Sequence, residues 1–384
     1  MHQLKITRTN GNVAKAMPGE DHVSGLYFCI PKSEVPEAWK KEPTQRVRSM
    51  AMAESLGITA DATSWYVRML HYQLSEVFRI NEGVELYVML GTGDVTDILL
   101  LQQYAEGRIR QVGVWTGAEL TDVTAWHKIG KQCDEVLNAP LSIIVAPTVT
   151  SLTALKPYKT EMDTAYRVSV CICQDGAGVA QSLHEDSARP SGACVSAIGT
   201  VLGLVSLAAV HQSISWVKEF PTGVSCPAFA DGTLRRNVSA DLLDALDEGR
   251  YIFYVTYAGR SGSYINDSHT MEPMESDYAM IENVRTMDKA VRGIRAALIP
   301  ELGSSVYIDP EKGTLQPYCV THLETTAQRT LEEMEKAGEL SGYKVAIDPE
   351  QDVLSTGTIE VVIKQVAVGV LRKISVKIGF SKTV

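Results

Sequence analysis

Residues 86–146 read LYVMLGTGDVTDILLLQQYAEGRIRQVGVWTGAELTDVTAWHKIGKQCDEVLNAPLSIIVA. Three short apolar runs, Leu86–Leu90, Gln111–Trp115 and Leu141–Ala146, have the length of buried strands. The stretches between them, Thr96–Glu106 and Thr121–Asn138, read as helices. This alternation predicts an α/β fold with a mostly parallel sheet and flanking helices on both faces.

The pattern continues in both directions. Upstream, Gln45–Leu56 and Ser64–Ile80 read as helices. His2–Arg8 alternates, with Leu4 and Ile6 on one face, and turn signals at Asn10-Gly11 and Pro18-Gly19 set that strand apart. Downstream, a connection with Pro157 leads to a strand, Arg167–Cys173. A polar loop with Pro190 then precedes a small-residue helix, Gly192–Val217. A helix over Ala240–Asp247 ends at Gly249, placed as a C-cap, and Tyr251–Tyr257 is the next strand.

The last third changes character to an α+β unit. Ser276–Leu298 reads as a helix with the stripe Val284, Met287, Val291, Ile294 and Leu298, ended by Pro300. A short strand, Val306–Ile308, and a turn at Asp309–Gly313 lead to a helix over Leu323–Ala337, stopped by Gly338. Three strands close the chain: Tyr343–Ile347, Thr358–Ile363 and Lys373–Phe380.

Composition bounds the function. The 384 residues suit two or three domains, and 45% apolar with 21% charged residues is ordinary for a globular protein. A formal charge of −10 argues against nucleic-acid binding. The seven cysteines (Cys29, Cys133, Cys171, Cys173, Cys194, Cys226 and Cys319) are odd in number, scattered and without a CxxC pair, so free thiols in a reducing compartment are expected. Met1-His2-Gln3-Leu4-Lys5 lacks the apolar core of a signal peptide, and a protein made and kept in a cytoplasm is expected. Ala193–Val210 is uncharged and holds Gly199-x-x-x-Gly203. Its serines, threonine and the following His211-Gln212-Ser213 fit a buried core helix rather than a membrane span.

A search for chemistry finds fragments only. Gly91-Thr92-Gly93 follows a strand and precedes a helix, where a dinucleotide fingerprint would lie, but the third glycine position is Thr96. No GxxxxGK[ST] occurs. Gly259-Arg260-Ser261-Gly262-Ser263 lacks the last glycine of a nucleophile elbow. The eight histidines have no metal-ligand spacing, and Cys171 and Cys173 share a strand face without further ligands nearby. No catalytic residue, cofactor or metal site is assigned. A Rossmann-like nucleotide-binding enzyme, resting on Gly91 and Gly93, is the alternative.

The chain ends carry the stronger signal. Ile374, Val376, Ile378 and Phe380 alternate with Ser375, Lys377 and Gly379. One-faced strands at both termini must pair, because a bare edge is an aggregation hazard. They either close the chain's own sheet or add to the sheet of a neighbour. Heterologous contacts of the second kind build rings or filaments.

With these features the chain resembles, in their short form, the contractile tail sheath proteins of phages and related injection machines. The likeness is carried by Trp65-Tyr66-Val67 through Asn81 into Leu86-Tyr87-Val88, and by Gly199–Gly203 with Val210, Ile214 and Trp216-Val217. It continues in Tyr264-Ile265-Asn266-Asp267 with Ser276-Asp277-Tyr278, Arg285, Asp288-Lys289-Ala290 and Arg292. Gly338–Tyr343 with Ile347-Asp348-Pro349 and the final strands complete it. The resemblance implies a non-enzymatic structural subunit. Hexameric rings of it stack helically around an inner tube and contract without nucleotide, as a bistable packing. Its implied partners are itself, the inner tube protein, a baseplate, and a tail terminator or cap, with no nucleic acid and no membrane insertion. The implied setting is a virion tail or another contractile particle, extracellular or cytoplasmic, assembled in a bacterial cytoplasm.

The implied organisation is an N-terminal arm (1–22), an outer α/β domain (23–275), an inner α+β assembly domain (276–370) and a C-terminal arm (371–384). Leu4, Ile6, Ile374, Val376, Ile378 and Phe380 would pair between subunits. On the helix Leu323–Ala337, residues Leu323, Ala327, Leu331 and Met334 should pack inward. Glu324, Gln328, Glu332 and Glu335 match the position of the family's tube attachment, with the basic stripe Arg285, Lys289, Arg292 and Arg295 as the next candidate. A tube or capsid subunit is a third reading.

Overall fold

The computed structural model describes residues 19–120, 122–155 and 164–380. The chain divides into two compact units, Met1–Arg292 and Gly293–Val384. The first strand, β1 (Ser24–Cys29), is buried along its whole length. After a short helix α1 (Glu37–Lys41) come β2 (Thr44–Val47), α2 (Met50–Ser55), α3 (Trp65–Ile80) and β3 (Leu86–Gly91). The alternation then runs α4 (Asp97–Tyr104), β4 (Gln111–Trp115), α5 (Thr124–Glu135), β5 (Ser142–Ala146) and β6 (Val168–Cys171). β7 (Cys173–Asp175), α6 (Gly178–Glu185), α7 (Ile198–Leu207) and β8 (Pro227–Phe229) follow, then α8 (Ala240–Glu248) and β9 (Tyr251–Ile252). β10 (Tyr254–Val255), β11 (Tyr264–Ile265) and α9 (Ile281–Leu298) come next.

Among the described residues the central sheet has seven strands, in the order β2-β3-β1-β4-β5-β6-β9. Only β2 is antiparallel to its neighbour; the other pairs are parallel. The expected mostly parallel α/β sheet is therefore present. Alternation along β4 puts helices on both faces. Gly113 faces Ile198 and Leu202 of α7, whereas Gly25, in register with Val112, faces Leu101 of α4. Parallel strands covered on both sides need continuous apolar runs, and Ile143–Ala146 are all fully buried.

Several elements differ from the sequence expectation. The segment expected as one helix, Gln45–Leu56, begins as β2, and a new helix starts where the Ser49 side chain accepts the Met52 N–H. The Gly192–Val217 helix shrinks to α7, because the Ala197 N–H is taken by the Cys173 carbonyl and Ala208 turns extended. Arg167–Cys173 splits at Ile172, whose N–H goes to Ile252 O. Tyr251–Tyr257 splits at Phe253, whose N–H is taken by the Asn266 side chain. Gly249 ends α8, but the left-handed residue is Arg250, at φ 68°. α9 starts at Ile281, later than expected. The expected strand His2–Arg8, with Leu4 and Ile6, lies outside the described residues.

The second unit is built on α10 (Pro317–Lys336), longer than the expected Leu323–Ala337. β12 (Leu340–Ile347) and β13 (Val361–Ala367), flanking a short α11 (Val353–Thr356), form an antiparallel hairpin. The expected strand Val306–Ile308 is reduced to one bridge, Ile308 with Leu315. Cys319, Ala327, Leu331 and Met334 of α10 are buried, together with Leu340, Val345 and Ile347 of β12. Residues 368–380, which include the expected strand Lys373–Phe380, form no ladder among the described residues. No helix among the described residues is long and apolar enough to cross a membrane.

Candidate functional site

In a parallel sheet of this order, ligands bind at the carboxyl ends of the strands, where successive connections leave in opposite directions. Here that point is flanked by β1, β3 and β4. The glycine turn Gly91-Thr92-Gly93 sits there, and it cradles the chain's own Tyr27. The Tyr27 hydroxyl accepts the Gly93 N–H at 2.9 Å and donates to the Asp97 carboxylate at 2.7 Å. A Cβ on Gly91 would lie 2.6 Å from Tyr27 Cζ. The close approach that glycine permits is thus spent on a phenol, in the space a phosphate would use. Burial and the Asp97 hydrogen bond push the Tyr27 pKa upward, so the phenol stays protonated as a donor.

Across β1 the crevice is filled by aromatic rings. Phe28 stacks on Trp115 at 4.6 Å, and Trp65 and Tyr66 both lie 6.0 Å from Trp115. The Trp115 indole N–H donates to Cys194 O at 3.1 Å. Cys171 and Cys173 sulfurs lie 3.6 Å apart in a fully buried setting. No group of three or more His, Cys, Asp or Glu among the described residues could hold a metal.

Arg285, Lys289 and Arg292 of the basic stripe on α9 are turned to internal use. Arg285 donates to Asp21 O, while Lys289 Nζ and Arg292 reach the Asp21 carboxylate at 2.7 and 3.3 Å. Burial lowers the Arg292 pKa to about 10, with Arg110 adding like charge. Glu20 is held in turn by Arg108 and Arg110. The stripe therefore fixes the first described residues of the chain.

The second unit holds the other sequence-predicted residues. Leu323 is half-buried, while Ala327, Leu331 and Met334 are buried as expected. Glu324 and Gln328 are half-buried, and Glu324 Oε1 accepts the Ile347 N–H at 2.9 Å. That carboxylate thus fastens α10 to the hairpin. Glu332 and Glu335 are exposed, and Glu332 pairs with Lys336 at 2.5 Å. Ile374, Val376, Ile378 and Phe380 are all more than 70% exposed. Among the described residues β12 and β13 pair only with each other, and the outer edge of each has no partner strand.

Sequence reasoning missed the Tyr27 and Trp115 fillings. A signal was present for the first: a buried tyrosine needs a hydroxyl partner, and an N–H-rich glycine turn supplies one.

No curated protein sequence matches the chain. Among solved structures it is similar to a chain of the anti-feeding prophage (AFP) baseplate, with a TM-score of 0.64 at 14% identity over 99% of this chain and 98% of that one. It is also similar to a chain of the PVC sheath complex of an extracellular contractile injection system in its contracted state. There the TM-score is 0.61 at 13% identity, over 100% of this chain and 98% of that one. At such identities the likeness is one of fold: this chain shares the fold of components of contractile injection systems. Residues 1–269 match the family described as DUF2586, N-terminal domain, and residues 277–384 match DUF2586, C-terminal domain. The chain belongs to the DUF2586 family.

Proposed function

We propose that the protein is the short-form sheath subunit of a contractile tail or injection particle. It polymerises as stacked hexameric rings around an inner tube, and the stack contracts to drive the tube through a target envelope. One observation carries the reading. A one-faced β pattern at 373–380 has its apolar side chains exposed, and it follows a hairpin whose outer edges have no partner strand among the described residues. A segment whose apolar face is left exposed among the described residues is suited to augment the sheet of a neighbour. Leu4 and Ile6 are assigned the same role at the other terminus, with 1–22 and 371–384 as arms, 23–275 as the outer domain and 276–370 as the inner one. The similarity to a sheath complex supports the particle, and the Tyr27 hydroxyl seated on the Gly93 N–H weighs against the nucleotide-enzyme alternative.

Tube attachment is assigned to α10. Glu332 and Glu335 are its exposed acids, with Gln328 and Glu324 half-buried beside them. The partners assigned are further copies, the inner tube protein, the baseplate and a terminator or cap. The particle is placed as a virion tail or injection device assembled in a bacterial cytoplasm.

The test is deletion of residues 371–384. The shortened protein should stay folded and soluble but form no tubes by electron microscopy, whereas the full chain forms long hollow ones. Normal tubes from the shortened chain would refute strand exchange.

A further inference from the structure

Two exposed faces of the chain hold like charges close together, and they are of opposite sign. On the hairpin, Lys344 and Lys364 are directly opposite in register, and both are exposed. Like charges so placed are unfavourable, and neither β12 nor β13 contains an acidic residue to offset them. From residue 361 onward the only charged residues are Lys364, Arg372, Lys373, Lys377 and Lys382. The rest of the chain is therefore more acidic than its overall charge of −10. In an augmented sheet, Lys373 and Lys377 share the polar side of their strand, about 13 Å apart. Ile374 to Phe380 would face α10, so these lysines would extend the Lys344–Lys364 row across a third strand.

The acidic counterpart is on α8. Asp241, Asp244 and Glu248 are exposed and spaced three and four apart, which makes one stripe about 10 Å long. The helix reads ADLLDALDE and has no basic residue. Acids at this spacing repel, and Glu248 in the last turn also opposes the helix dipole. Asp247 is different, since His269 and Asn266 hold it at 2.9 and 2.7 Å.

We propose that Lys344 and Lys364, flanked by the exposed Val362 and Val366 on the same face of the β12–β13 hairpin, form a basic plate that docks on the α8 stripe of a second copy of the chain. The Lys373 and Lys377 part rests on the strand-exchange reading; Lys344 and Lys364 do not need it. Local arrangements that are unfavourable alone are expected where a partner relieves them. Each exposed pair is weak, so the contact acts by repetition along a polymer and weakens with salt.

The test is a charge swap in the full chain. Lys344→Glu with Lys364→Glu, and separately Asp241→Lys with Asp244→Lys and Glu248→Lys, should each raise the critical concentration for polymerisation about tenfold. Combining all five should recover it to within about threefold. All five positions are exposed, and unchanged thermal unfolding verifies the fold. Carbodiimide cross-linking of a mixture of light and isotope-labelled protein should join Lys344 or Lys364 to Asp244 or Glu248 between chains. Unchanged assembly of either charge-reversed protein, no recovery in the combination, or purely intrachain links would each overturn the plate. The protein ending at residue 370 separates the two readings: tubes from it would remove strand exchange, while the swap would still score Lys344 and Lys364.

Discussion

Replacing Gly199 by alanine tests the packing on which the whole first unit rests. Gly199 lies where α7 crosses α3, and a Cβ there would sit 2.9 Å from the carbonyl carbon of Gln73, 3.0 Å from its Cα and closer still to its oxygen. Two hydrogen bonds cross the same point. The Gly199 N–H donates to Gln73 Oε1 at 2.7 Å, and Gln73 Nε2 donates to Ser196 O at 2.8 Å. Backbone cannot swing aside as a side chain can, so the helices must part by about 1 Å. Overpacking of this kind costs about 1–3 kcal/mol, and weakening two buried hydrogen bonds adds about 1 kcal/mol each. Against this, alanine is better than glycine inside a helix by about 1 kcal/mol.

The balance is a loss of about 2–4 kcal/mol. At roughly 2–4 °C per kcal/mol for a unit of this size, the unfolding midpoint should fall by about 4–16 °C. Gly203→Ala is the matched control. Its Cβ would meet the Ile80 Cβ at 3.0 Å and the Val77 carbonyl at 3.3 Å, a crowding that a small shift relieves, so it should change the midpoint by no more than about 3 °C. Near-ultraviolet circular dichroism on both variants, scanned side by side, gives the comparison. Because propensity and clash have opposite signs, the direction alone decides: a midpoint for Gly199→Ala at or above that of the wild type would refute the crossing.

Two more outcomes are expected. His127 is fully buried on α5, its ring 5.0 Å from Tyr166, and neither nitrogen has a hydrogen-bond partner among the described residues; burial first, and Lys131 next, hold its pKa down to about 4. The unfolded chain takes up that proton below about pH 6.5 and the folded one does not, so stability is complete above that pH and falls by on the order of 3 kcal/mol as pH drops towards 4. His127→Phe should flatten this part of the pH dependence, and an equal slope in both proteins would count against it. Reversing Glu332 and Glu335 to Lys should impair assembly on tubes while sparing self-assembly; Glu324 is left intact because it holds the Ile347 N–H, and normal tube-bound particles would send the attachment surface elsewhere.

The elements that sequence reading located well share a physical reason. β3, β4 and β5 are continuous apolar runs between turn residues, and α3 begins where the Ser64 hydroxyl accepts the Val67 N–H. β1 follows the same rule only from Leu26 to Ile30 before Pro31, since Ser24 and Gly25 interrupt the apolar run at its start and mask the strand in the sequence. β2 was hidden because Thr44–Val47 is an edge strand whose identity comes from pairing with β3. The ends of α7 could not be read, since a helix buried on every side has no polar face to give a period. The glycine turn after β3 was legible as a turn, but what fills it comes from Tyr27, distant in sequence and adjacent only through the parallel pairing of β1 with β3.

The C-terminal segment shows a different limit: its pattern is complete in sequence and has no counterpart within the described chain. Burying Ile374, Val376, Ile378 and Phe380 is worth about 1.5–3 kcal/mol each, and a few ladder hydrogen bonds add about 1 kcal/mol apiece. Ordering the eight residues 373–380 costs about 1–2 kcal/mol each. The two sides are comparable, so the segment gains little by joining a freely diffusing neighbour. Association adds a further cost in lost translation and rotation. That cost is shared only when other contacts already hold donor and acceptor side by side, as the hairpin plate and the α8 stripe would. Strand addition in this chain is thus expected to be cooperative, giving monomers below a threshold concentration and long polymers above it. A population of stable dimers at intermediate concentrations, seen by analytical ultracentrifugation, would show that the strand alone suffices and that this balance is wrong.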